Sequence, residues 1–163
     1  MQKSKFLEKN ETILNSLKSI AILNPFEDQE ICKLLEMSKI RKYKAGEHIL
    51  KQGQSETLFY ILLSGQVKIT KNRKEVAILS EKGEIFGEMG AMNCTRRSAS
   101  AVAVTNTVCL ATDMFYIENL TGNDKTAFGY VLYRFLAEIL SRRLRATTDA
   151  MIKSKGRLNL KFW

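Results

Sequence analysis

At 163 residues the chain suits one domain with an appended arm, large enough to bury a substantial core. With 45% hydrophobic and 26% charged residues, no apolar run near the ~20 residues of a membrane helix and a charged start (MQKSKFLEKNET) without a signal core, a cytoplasmic protein that does not enter membranes is expected. The net charge of +9 is uneven: residues 141–163 hold Arg142, Arg143, Arg145, Lys153, Lys155, Arg157 and Lys161 against Asp149 alone, which is +6 of the +9.

Residues 1–40 read as helical. Leu7, Ile13, Leu14, Leu17, Ile20 and Ala21 recur at helical spacing, Asn24-Pro25 marks a break, and FEDQEICKLLEMSK reads as a second short helix with an acidic first turn. From 41 to 113 the pattern changes. Short apolar stretches at His48–Lys51, Leu58–Leu63, Gln66–Lys71, Val76–Leu79, Ser100–Val104 and Val108–Ala111 alternate with turns carrying Gly46, Gly53, Gly65, Gly83 and Gly87. Regular short strands predict a sandwich, barrel or jelly roll. Their spacing is too tight for the helical crossovers of a parallel sheet.

Residues 114–155 return to helix. Met114–Leu120 is a short piece ended near Gly122, and a long helix starts at the capping residues Asn123-Asp124. Leu136, Leu140, Leu144, Thr147 and Met151 form one stripe along it, and Phe128, Leu132, Phe135 and Ile139 another. Two stripes let the helix pack on its own barrel and on a second copy of itself; one broad face buried within the monomer is the alternative. Residues 156–163 are a basic tail; the basic end as a whole, 141–163, could contact nucleic acid, an acidic partner or a membrane surface, or be a solvated helix face followed by a frayed tail.

Cys32, Cys94 and Cys109 are odd in number and far apart, against a disulfide framework or zinc knuckle. Cys32 and Cys109 lie among apolar residues and read as core side chains, while Cys94 could be an exposed thiol. His48, the only histidine, reads as a strand residue at a barrel rim. Hydrolase-type acid–base constellations and metal clusters are therefore poorly supported, and neither enzymatic activity nor a metal is expected.

The stretch that carries chemistry is GEIFGEMGAMNCTRRSASAVA, residues 83–103. It leaves a strand, turns at Gly87, makes about one helical turn and re-enters a strand. Gly87 lets an anion approach the backbone, and the N–H groups of Gly87, Glu88 and Met89 at a helix start favour phosphate. The Arg97 guanidinium can close on the same phosphate with two parallel bonds, and Ser98 adds a hydroxyl donor. Phosphate would repel Glu88, whose carboxylate suits a sugar hydroxyl. Together these suggest a ribose phosphate. A surface loop with a structural Arg–Glu ion pair would give the same spacing.

FGEMGAMNCTRRSAS resembles the phosphate-binding cassette of cyclic-nucleotide-binding domains, whose pattern is roughly F-G-E-L/M-A/G-L, a variable loop, then R-S/T/A-A. Phe86, Gly87, Glu88, Met89 and Gly90 fit the first half; Arg97, Ser98 and Ala99 fit the second. AGEHILKQGQSETLFYILLSGQVKIT is similar to the family's glycine-bearing barrel strands, and the resemblance covers about residues 15–150. It implies an α+β fold: an eight-stranded antiparallel β-roll or jelly roll flanked by N-terminal helices and a long C-terminal helix. It also implies a cassette at 86–99, with Gly87, Glu88 and Met89 supplying backbone donors, Arg97 and Ser98 on the cyclic phosphate and Glu88 on the ribose 2′-hydroxyl. Ile61, Leu63 and Ile85 become candidates for apolar contact.

SRRLRATTDAM (141–151) resembles the dimer helix of the family's bacterial cyclic-AMP receptor (catabolite activator) branch. There two hydroxyl residues after R-R-L bond the base, one from each subunit. Thr147 and Thr148 occupy those places, and Arg143 matches an arginine near the phosphate and glutamate. Arg96 departs from the proline or small residue of many members. The resemblance implies a sensor that binds cyclic AMP and no further cofactor. It signals through a homodimer formed by the long helix, to a protein effector. Three alternatives stay open: cyclic GMP, which Ser98 also fits; another ligand on the same fold; and the sensor half of a DNA-binding regulator, or a stand-alone one. IKSKGRLNLKFW, which follows the long helix, is too short for a helix-turn-helix domain, so a stand-alone module or a fragment of a longer regulator is expected.

Overall fold

A computed structural model describes residues 15, 17–20, 23, 26–92, 95–115 and 123–155. Their order is α1 (Asp28–Glu36), β1 (Ser38–Tyr43), β2 (His48–Leu50), β3 (Leu58–Ser64), β4 (Val67–Lys71), β5 (Lys74–Leu79), β6 (Ile85–Phe86), α2 (Glu88–Met92), β7 (Ser100–Ala103), β8 (Thr107–Asp113) and α3 (Asn123–Lys155). The strands pair antiparallel in two four-stranded sheets, β1-β8-β3-β6 and β2-β7-β4-β5. This is the expected antiparallel roll, with helices before it and a long helix after it.

Strand β3 shows why the sequence LFYILL is apolar without alternation. Tyr60 and Leu62 point between the sheets, into a cluster with Val67, Phe86 and Cys109. Phe59 and Ile61 point the other way, into a second cluster with Leu34, Phe135, Leu136 and Ile139. The period of two splits one strand between two cores. Burying these side chains contributes about 1.5–3 kcal/mol each. Helix α3 docks on the second core through Leu132, Phe135, Leu136 and Ile139, and Phe26 meets Phe135 edge-on with ring centroids 5.8 Å apart.

Helix α1 opens on half a capping box: the Glu27 N–H donates to the Glu30 carboxylate at 2.8 Å. It ends where Ser38 Oγ donates to the Leu34 carbonyl (2.5 Å) and lies 2.6 Å from Oγ1 of buried Thr112 on β8. That junction corrects the sequence reading. The helical segment stops at Glu36, and the roll begins at Ser38 rather than at residue 41. Strand β1 is a basic edge strand, exposed along most of its length, so it lacks the apolar alternation that would have marked it. Cys32 is half-buried rather than in the core, while Cys109 is fully buried. His48 is an exposed residue of β2.

Of the first expected helix, Asn15, Leu17 and Lys18 are helical, and Leu17 and Ile20 are buried in the second core. The rest of that helix, Asn24-Pro25, Cys94, residues 116–122 and the tail at 156–163 lie outside the described residues. Among the described residues no helix is long and apolar enough to cross a membrane.

Candidate functional site

Gly87 ends β6 with φ 82°, a left-handed conformation that costs glycine little. A Cβ there would lie 3.0 Å from Leu50 Cδ1 and 3.1 Å from Arg97 Nη1, so the turn needs the empty space as well as the angle. Helix α2 starts at the next residue. Its first-turn N–H groups therefore lack intrahelical acceptors.

Arg97 reaches back beneath this turn. Its backbone is pinned to the turn after β2: the Arg97 N–H donates to the Gln54 carbonyl (2.8 Å), and the Gly53 N–H donates to the Arg97 carbonyl (2.9 Å). The side chain is buried, 2% exposed. Nη1 donates to the Gly87 carbonyl and Nη2 to the Leu58 carbonyl, both at 2.5 Å. Nη2 also lies 3.4 Å from Glu56 Oε2. Nε is buried and has no partner among the described residues. A buried cation is costly unless it is paired and its donors are satisfied. Here one carboxylate at 3.4 Å and two neutral carbonyls face it, leaving an orphan donor and a positive charge that is only partly compensated. An anion accepting from Nε would supply both deficits, and a phosphate fits that requirement.

Glu88, 2% exposed, pairs with Arg143 of α3, 55 residues away in sequence. The Arg143 side chain is 41% exposed. This pair joins the cassette to the long helix. The sequence left open a pairing of the cassette's own glutamate and arginine, but Glu88 and Arg97 each pair elsewhere: Glu88 with Arg143, Arg97 with Glu56.

The other expected residues take distinct places. Phe86 is buried between the sheets, stacked on Tyr60 (centroids 5.2 Å apart, planes 9° apart), and props the turn from inside. Met89 and Ser98 are exposed. Thr147 is exposed, one turn beyond Arg143 on the same face of α3. Thr148 is half-buried and donates to the Leu144 carbonyl at 2.8 Å. The structure thus gathers Gly87, Glu88, Arg97 and Arg143, with Thr147 and Thr148 further along α3. Ile61, Leu63 and Ile85 pack instead with the helices. Ala91 of the cassette helix α2 lies in the same cluster, so these residues support the cassette from the helix side of the roll. Glu56 was missed by sequence reasoning. It sits 41 residues from Arg97, in the stretch before β3 (QSET), which carries no signal of its contact.

The chain matches the family model described as "Cyclic nucleotide-binding domain" over residues 40–124, just over half its length. It is similar to human cGMP-dependent protein kinase 2, at 29% identity over 111 residues, covering 64% of this chain and 15% of that protein. Among solved structures it is similar to the Thermus thermophilus catabolite activator protein (30% identity, TM-score 0.65, 82% of this chain and 62% of that chain). It is also similar to a cyclic nucleotide-binding domain from Methylobacillus flagellatus (20% identity, TM-score 0.76, 90% and 87%), a likeness of fold. The chain spans under a fifth of the length of the curated kinase it matches.

Proposed function

This chain belongs to the cyclic nucleotide-binding domain family, and on that premise we propose that it binds cyclic AMP in the 86–99 cassette and passes the event on through α3. The observation that carries the reading is buried Arg97, with an unpartnered Nε, beneath the Gly87 turn. The cyclic phosphate accepts from Arg97, from the backbone N–H groups of Gly87, Glu88 and Met89, and from the Ser98 hydroxyl. Glu88 accepts from the ribose 2′-hydroxyl. Because Arg143 already holds that carboxylate, the arriving hydroxyl acts directly on the joint between cassette and helix.

Thr147 shares the Arg143 face and meets the base from its own chain. Thr148 flanks the stripe of Leu144, Thr147 and Met151, whose Leu144 and Met151 are exposed, and faces a second copy. Pairing of two α3 helices along this stripe makes the dimer, and a protein effector reads its geometry. The ligand moves that geometry only by its differential affinity for the two arrangements. The role is regulatory and involves no bond making or breaking.

Cyclic GMP is the second reading. Relatives at 29% identity are cGMP-dependent kinases by name, and the Ser98 hydroxyl suits either nucleotide. Calorimetric titration with both nucleotides, with Arg97→Ala as control, tests the proposal. Each charge-assisted bond lost should cost about 1.5–3 kcal/mol, so Arg97→Ala should weaken binding roughly tenfold or more. Absence of binding by the unaltered protein refutes it.

A further inference from the structure

We infer that Glu56 is an anion built against the ligand: it opposes the incoming phosphate at Arg97 and so sets the affinity of the site lower than the remaining residues would give. The inference rests on the cyclic-nucleotide reading of the cassette and adds a residue to it.

The geometry separates two roles that a carboxylate beside a binding arginine can play. One is positioning, in which the acid holds the guanidinium in place. Arg97 has little need of it. Two carbonyl contacts at 2.5 Å, from Gly87 and Leu58, fix its two terminal nitrogens, and two backbone bonds fix its main chain. Glu56 stands off at 3.4 Å. The other role is competition. A guanidinium partnered by one carboxylate must share its charge when a phosphate arrives, and the two anions repel each other across it. Arg97 is 2% exposed at the side chain, and water screens such repulsion poorly in a buried setting. Glu56 is 38% exposed at the side chain, so it reaches solvent and its removal leaves no cavity in the core. In the ligand-free protein the same carboxylate partly compensates the buried cation, which further favours the empty state.

The test is a calorimetric comparison of cyclic AMP binding by the full chain, Glu56→Gln, Glu56→Ala, Arg97→Ala and the Glu56→Gln/Arg97→Ala double variant, with circular dichroism confirming the fold of each. Both Glu56 variants should bind roughly threefold to tenfold more tightly than the unaltered protein. In the Arg97→Ala background the gain should vanish, because the acid acts through that guanidinium. Weaker binding by Glu56→Ala with unchanged binding by Glu56→Gln identifies a positioning role and overturns the inference. Equal affinity in all Glu56 variants overturns it as well. In either of these cases the unaltered protein still binds, so the functional reading stands. Failure of the unaltered protein to bind removes both.

Discussion

Replacing Arg143 by alanine strips the guanidinium from a glutamate that is 2% exposed. Breaking a fully buried ion pair from one side costs about 3–5 kcal/mol, since the remaining charge is left uncompensated. The Arg143 side chain is 41% exposed, so solvent screens this pair and water can reach the vacated carboxylate. The expected cost is therefore about 1–2 kcal/mol, near the cost of leaving a buried polar group unsatisfied. For a chain of this size that lowers Tm by roughly 2–8 °C. Glu88→Gln removes the charge and keeps the shape, and in that background Arg143→Ala should cost much less. Urea unfolding of the four proteins of this cycle, without ligand, measures the coupling. A coupling below about 0.5 kcal/mol, the range of independent sites, refutes the claim that this pair joins the cassette to α3.

Gly87→Ala forces a side chain onto a residue at φ 82° and against Leu50 and Arg97. It should cost about 1–3 kcal/mol in urea unfolding and reduce cyclic AMP affinity in calorimetry through displacement of Arg97. Burial pushes the Cys109 thiol up to about 12 from 9.0. A raised folded-state value means that its contribution is full below pH 9 and is lost as pH rises toward 12, so stability should fall across that window in pH-dependent urea melts. Mass-spectrometric mapping of alkylated thiols in the native protein should accordingly find Cys109 protected while half-buried Cys32 reacts.

The elements legible in the sequence were those whose local chemistry agrees with their tertiary role. The run LFYILL is apolar because both of its faces are covered, and it was recognisable as a strand from its length and its flanking turns. Strand β1 was not, because an edge strand of basic residues has no buried face to impose alternation. Strand β5 starts at Lys74, earlier than its apolar residues suggest. The turn before it places Asn72 and Arg73 at φ 51° and 65°, and an arginine there is not a usual turn signal. Reciprocal amide bonds between Gln52 and Asn72, at 2.8 and 2.9 Å, hold that turn from a distant loop. The cassette was legible because glycine, helix start and arginine are close in sequence. The contacts of Arg97 with Glu56 and of Glu88 with Arg143 span 41 and 55 residues, and only the folded chain brings them together.

Amide hydrogen exchange with and without cyclic AMP tests most directly the claim that the nucleotide sits in the cassette and engages the long helix. Protection should rise at Gly87–Gly90 and Arg97–Ser98 and, in the same experiment, along Arg143–Thr148. Binding that leaves exchange in these segments unchanged, or that protects a different part of the roll, would contradict it.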